Sequence, residues 1–167
     1  MSILDDIFGG SRKKAPQVVL LIDGPNSIRK EINIDLKQVK AEVQKYGDIR
    51  IAKVYLDQYA SDKLIEAMVN QGFETEITTG DVDVTMAVEA IEYVMEKNTD
   101  VLALMTRDTD FTPVLRKAKK YGKKAVIVVS GSASSVALKN TADAVIEMKQ
   151  GGQPAPATTL DTSLNEN

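Results

Sequence analysis

The chain has 167 residues, 43% hydrophobic and only 5% aromatic, with a formal net charge of −3 at pH 7. That length suits one domain with a substantial, mainly aliphatic core. It contains neither cysteine nor histidine, which excludes disulfides, thiolate nucleophiles, Cys- or His-ligated zinc and imidazole acid–base chemistry, and leaves carboxylates, lysines, hydroxyls or a hard metal ion.

Residues 1–15, MSILDDIFGGSRKKA, read as an N-terminal tail, with Ile3, Leu4, Ile7 and Phe8 ahead of Gly9-Gly10 and a basic Arg12-Lys13-Lys14. The run VVLLI within 17–22 is continuous and apolar, as expected of a strand buried on both faces. A helix is predicted over 33–46, with Leu36, Val39, Val43 and Tyr46 on one stripe, Asn33 as its N-cap and Gly47 past its end. Residues 49–56 read as a strand. The next helix, 61–71, is capped by Ser61 and stopped at Gly72, and 73–78 is a weaker, alternating strand suited to a sheet edge.

A third helix is predicted over 83–97, with Val84, Ala87, Val88, Ile91, Val94 and Met95 as its inward stripe. Residues 101–105 form another buried strand. The following helix, 109–121, carries Pro113 in its first turn and ends at Gly122. A strand at 124–129, a short helix at 134–140 and a last strand at 144–148 complete the domain, 16–149. Residues 150–167, rich in Gly, Pro, Thr and polar residues, are expected to be a disordered C-terminal tail.

Strands separated by single helices imply right-handed crossovers and an α/β fold with helices on both faces of a mostly parallel sheet of five to six strands. In such a sheet ligands bind beyond the carboxyl ends of the strands. Aspartates stand at these ends: Asp23 in LLIDGPN, Asp81 and Asp83 in GDVDV, and Asp108 and Asp110 in MTRDTDF. Asp23-Gly24-Pro25-Asn26 also fits a plain turn, and one acid of each later pair fits a helix N-cap. A cap uses only one carboxylate, however, and each of those stretches supplies two. Gathered carboxylates repel one another unless a cation joins them, and an all-oxygen set favours Mg²⁺ or Mn²⁺. Glu89, two turns into its helix, is a weaker candidate.

From Arg116 to Lys124 the sequence RKAKKYGKK holds six basic residues and no acid, with Arg107 just upstream. This strip fits either a solvated helix face or a surface for a phosphate backbone, with Arg107, Lys119 and Lys120 as substrate contacts. Asp81-Val82-Asp83 has the look of a phosphatase nucleophile motif, but that motif follows a strong buried strand, and ETEITT at 74–79 is not one.

The order Asp23-x-x-Asn26, then Asp83 opening a helix, then Asp108-x-Asp110-Phe111 resembles the NYN domain, a branch of the PIN-like nucleases. The resemblance extends over most of 18–148, including Tyr121-Gly122-Lys123-Lys124 and Leu138 to Ala142-Asp143. It implies a three-layer α/β/α Rossmann-like sandwich and a metal-dependent ribonuclease acting on RNA. Asp23, Asp83, Asp108 and Asp110 would then be catalytic and hold Mg²⁺ or Mn²⁺, and Asn26 would position substrate or water. Two departures stand out. Gly80-Asp81-Val82 replaces a Lys-Gly before the second acid, and Thr106-Arg107-Asp108-Thr109-Asp110 replaces Ser-Gly-Asp-x-Asp.

The alternative is a non-catalytic RNA-binding or protein-interaction module on the same scaffold, with the tails as attachment points for a partner or a second copy. A phosphate-transfer protein fits less well, because Ser130-Gly131 stands where a lysine would follow the fifth strand. No apolar run is long enough to cross a membrane and no signal-peptide pattern opens the chain, so a cytoplasmic protein without membrane contact is expected.

Overall fold

A computed structural model describes residues 13–28, 35–130 and 135–149 of the protein. Most of both tails, Asn33 as a cap, the helix start at 134 and the loop position Gly131 lie outside the described residues.

Six strands form one sheet: β1 (Gln17–Asp23), β2 (Asp48–Asp57), β3 (Glu74–Thr78), β4 (Val101–Met105), β5 (Lys124–Ser130) and β6 (Ala144–Met148). Their spatial order is β3-β2-β1-β4-β5-β6, and every neighbouring pair is parallel. The weakly patterned strand at 74–78 is an edge, as expected. The strands are joined by α1 (Gly24–Ser27), α2 (Leu36–Val43), α3 (Asp62–Asn70), α4 (Val82–Met95), α5 (Thr112–Lys120) and α6 (Val136–Thr141), with 3-10 turns at Gln44–Tyr46 and Thr109–Phe111. Among the described residues, no helix is long and apolar enough to cross a membrane.

Alternation along the buried strands builds two cores. Val18, Leu20 and Ile22 pack with Leu36, Val39, Val43 and Met68 of α2 and α3 on one face. Val19 and Leu21 pack with residues of α4, α5 and α6 on the other. Each of β1 and β4 is thus inaccessible on both sides, which is why they read as unbroken apolar runs. The crossover direction changes between β1 and β4, the switch point where a doubly wound sheet opens a crevice.

Local signals place most helix ends. Ser61 caps α3 by accepting from Leu64 N, and Gly72 ends it with φ at 77°. Helix α2 begins at Leu36, where the Asp35 side chain accepts from Lys37 N. Helix α4 buries Val94 as expected but otherwise turns a different stripe inward. Its buried residues are Val82, Met86, Ala90 and Val94, whereas Val84, Val88 and Met95 are 60%, 56% and 58% exposed. Both faces of this helix are apolar, and the one against the sheet is that which also directs Asp83, seven residues before Ala90 and eleven before Val94, to the sheet edge.

Candidate active site

Asp23 ends β1 and is completely buried. Its Oδ2 accepts from Asn26 Nδ2 at 2.8 Å and from Thr106 Oγ1 at 3.0 Å, and its Oδ1 accepts from the Asn26 backbone N–H at 3.3 Å. Three donors compensate a carboxylate removed from water. The turn that supplies Asn26 needs Gly24, because a Cβ there would lie 2.4 Å from the Tyr55 carbonyl oxygen and 2.6 Å from a Leu56 methyl. Behind it, Ser27 Oγ donates to the Met105 carbonyl at 3.0 Å and fastens α1 to the end of β4.

Thr106 joins the two central strands. Its buried hydroxyl donates to Asp23 and accepts from Asp108 N at 3.1 Å. Asp108 Oδ1 in turn accepts from Asp110 N at 2.9 Å, capping the 3-10 turn that leads into α5. The hydroxyl of Thr106 therefore sets Asp108 relative to Asp23. It was missed as a site residue, although a hydroxyl amino acid two positions before the acid was visible in the motif.

Asp83 enters from the first turn of α4. Its carboxyl is pushed up to about 6 by burial, then by the charge on Asp23, then by a hydrogen bond with Asp108 and that group's charge, with Asp81 also contributing. Three separate elements thus bring Asp23, Asp83 and Asp108 within mutual electrostatic reach. Asp110 is exposed and lines, with Asp81, Asp83, Val84, Ala87 and Phe111, a cleft of about 340 Å³. Asp81 occupies the N-cap position of α4, yet its side chain makes no capping hydrogen bond. The capping role expected for one acid of this pair is not filled, and both carboxylates face the cleft.

Among the described residues, no group of three or more acids converges closely enough to form a finished metal cage. Mg²⁺ usually keeps several waters and takes only one or two protein carboxylates, and the raised proton affinity of Asp83 marks a place where positive charge is favoured. The donor set is all oxygen, and the residues present fit a hard divalent ion on those grounds.

The other expected contacts divide. Asn26 directs its amide N–H at Asp23, which makes it a support for that carboxylate. Arg107 is half-buried beside Asp108, and its Nε is buried without a hydrogen-bond partner among the described residues. Lys119 and Lys120 stand in the last turn of α5, at the end away from the cleft. Helix α5 starts at the cleft and carries its last turn roughly 10 Å away, at about 1.5 Å per residue. There Lys119 donates to the Thr141 carbonyl at 3.1 Å and lies 3.5 Å from Asp143. Lys123 donates to the Glu96 and Thr99 carbonyls, and Lys124 sits over the Tyr46 ring at 4.9 Å. Much of the basic strip thus fastens loops.

Glu89 is fully partnered. It accepts from Lys53 Nζ at 2.8 Å and from the buried Tyr55 hydroxyl. Burial would raise its pKa, but these two hydrogen bonds outweigh that and hold it below the usual carboxylate range. The same contact, after burial itself, pushes the Tyr55 phenol up. The cluster fixes α4 on β2 below the cleft.

A doubly wound parallel sheet with an acidic crevice at its switch point defines an α/β protein of Rossmann-like architecture. The chain belongs to the NYN domain family, which matches residues 17–149, and that membership suggests a PIN-like nuclease. It is 51% identical over 149 residues to the uncharacterized protein MJ0482 of Methanocaldococcus jannaschii, a match covering 88% of this chain and 62% of that protein. The chain thus spans about three-fifths of the length of that relative. The crystal structure of VPA0982, a protein of unknown function from Vibrio parahaemolyticus, is similar in fold, with a TM-score of 0.70 and 21% identity. It covers 81% of this chain and 94% of that one.

Proposed function

We propose that this protein is a metal-dependent endoribonuclease that hydrolyses RNA phosphodiester bonds at the β1/β4 crevice with Mg²⁺ or Mn²⁺. The observation that supports this reading is the approach of Asp23, Asp83 and Asp108 to one another from three separate elements, close enough for burial and the two neighbouring acids to raise the Asp83 carboxyl. Asp83 and Asp108 would hold the ion, with Asp23 contributing fixed negative charge from behind and Asp110 an accessible carboxylate on the cleft side. Such an ion supplies Lewis acidity at a phosphate oxygen and makes a bound water a stronger nucleophile at neutral pH.

The remaining roles belong to the chain itself. Asn26 and Thr106 hold Asp23 in one orientation, so its charge is in place before substrate arrives. The Arg107 guanidinium would meet the phosphate, where a planar donor fork suits two oxygens at once. Asp110 would orient the attacking water.

The test is cleavage of labelled RNA by the wild-type chain and by Asp108→Asn, with Mn²⁺ and with chelator. Activity that needs the metal and falls by about a hundredfold or more in the variant supports the reading. Equal cleavage by both proteins, or cleavage indifferent to chelator, refutes it. Arg107, which stands inside the acidic motif, motivates a second reading, an RNA-binding module without turnover. RNA affinity independent of metal, with no cleavage under any condition, would establish that reading instead.

A further inference from the structure

The exposed side of α4 borders the acidic cleft at Val84 and Ala87 and runs on from there, away from the acids. Val84, Val88, Ile91 and Met95 succeed one another at intervals of four, three and four residues. That is the spacing of a seam that packs against another helix. Val84, Val88 and Met95 are more than half exposed, while the opposite side of α4 is already filled by Val82, Met86, Ala90 and Val94. A helix with two apolar faces buries both only when something covers the second. Here one of its two sides has no cover among the described residues.

The seam continues into an open, apolar groove shared with α5, with Pro113 on the far bank. Glu92 stands on the α4 bank and Lys117 on the α5 bank, and neither forms an ion pair among the described residues.

We propose that this face is a self-association surface, on which α4 of a second copy of the chain lies antiparallel across a two-fold axis. The spacing 4-3-4 reads the same in both directions. An antiparallel pairing therefore sets Val84 against the partner's Met95 and Val88 against the partner's Ile91, with no seam residue unmatched. A two-fold surface must complement itself, and the rims do so: Glu92 of each copy approaches the groove bank that carries the other's Lys117. Opposite charges at a rim set register and orientation. Asp83 and Asp108 are not seam residues, although the seam meets the wall of their cleft at Val84; the pairing rests on the apolar face alone, and its test reads association, not cleavage.

Sedimentation velocity of the full 167-residue chain, over a concentration series in the micromolar range, tests this. The wild type is expected to be a dimer. Val88→Glu, at a position already exposed to solvent, is expected to be a monomer with unchanged circular dichroism and thermal midpoint. Glu92→Lys should weaken dimerisation by about tenfold or more, and Lys117→Glu added to it should restore the affinity, a rescue that misfolding cannot mimic. A wild type that remains monomeric throughout, or a Val88→Glu variant that still dimerises, overturns the proposal. So does dimerisation only after residues 1–12 are deleted, which would assign the seam to the chain's own apolar N-terminal segment.

Discussion

Replacing Asp83 by Asn should make the metal-free protein more stable. The carboxyl rises from 3.8 to about 6 on folding, roughly two pH units at about 1.4 kcal/mol each. That sets a ceiling of about 3 kcal/mol. Asp83 is only half-buried, so solvent screening brings the expected gain down to about 1–2 kcal/mol. For a domain of this size that is a rise of about 2–8 °C in Tm. Asparagine removes the charge and keeps an N–H for Asp108.

The sign is fixed by the direction of the shift. A carboxyl with a raised pKa in the folded state contributes stability that is present below about pH 4 and lost as pH rises through about 6. The gap between variant and wild type should therefore open between pH 4 and pH 7. Urea unfolding in chelator at pH 4, 5.5 and 7.5 measures it, with Asp62→Asn, in the exposed first turn of α3, as a control for charge removal alone. Saturating Mn²⁺ should reverse the order, stabilising the wild type by about 2.7 kcal/mol at a hundred times its Kd and the variant far less. A variant no more stable than wild type at pH 7.5 in chelator, or a gap that persists at pH 4, would refute the electrostatic crowding of this cluster.

Three other perturbations probe the supports of the site. Thr106→Val removes the donor to buried Asp23 and should cost about 1–3 kcal/mol in urea unfolding, with Thr106→Ser recovering most of it; equal midpoints for all three proteins would contradict the bridging role. Gly24→Ala forces a methyl into the Tyr55 carbonyl and should lower stability by about 1–3 kcal/mol, visible as a lowered thermal midpoint. Glu89→Gln should cost about 1–3 kcal/mol at pH 7. Because the Glu89 pKa is lowered, its contribution is present above the unfolded value of 4.5 and fades as pH falls, so this deficit should shrink in acid; a constant deficit would mean the charge plays no part.

The sheet was legible because VVLLI and VLALM admit no half-solvated arrangement, and the acids that follow those runs could only fall at one edge. Alternation gave a parallel sheet but not the order of its strands, which sets the crevice between β1 and β4. What misled was α4, where two apolar stripes compete. Periodicity favours the larger side chains of Val84, Val88 and Met95, but only the Met86 and Ala90 side lets Asp83 turn toward Asp23. A one-dimensional pattern does not contain that coupling. The role of Thr106 also stayed hidden, since it depends on pairing across residues as distant as 23 and 106. Lys119 and Lys120 follow Asp110 closely in sequence, yet they fall in the last turn of α5, and a helix carries its last turn away from its first.

Asp23 and Asp108 differ from Asp83 in how firmly the fold holds them. The first two extend from β1 and β4, the innermost strands, whose backbone amides should exchange with solvent deuterium only when the whole domain opens. Asp83 rides on the first turn of a surface helix, where fraying is far easier. The cleft is thus assembled from one immobile half and one half able to breathe. Slowed amide exchange confined to the start of α4 would be the signature of anything that ties the two halves together.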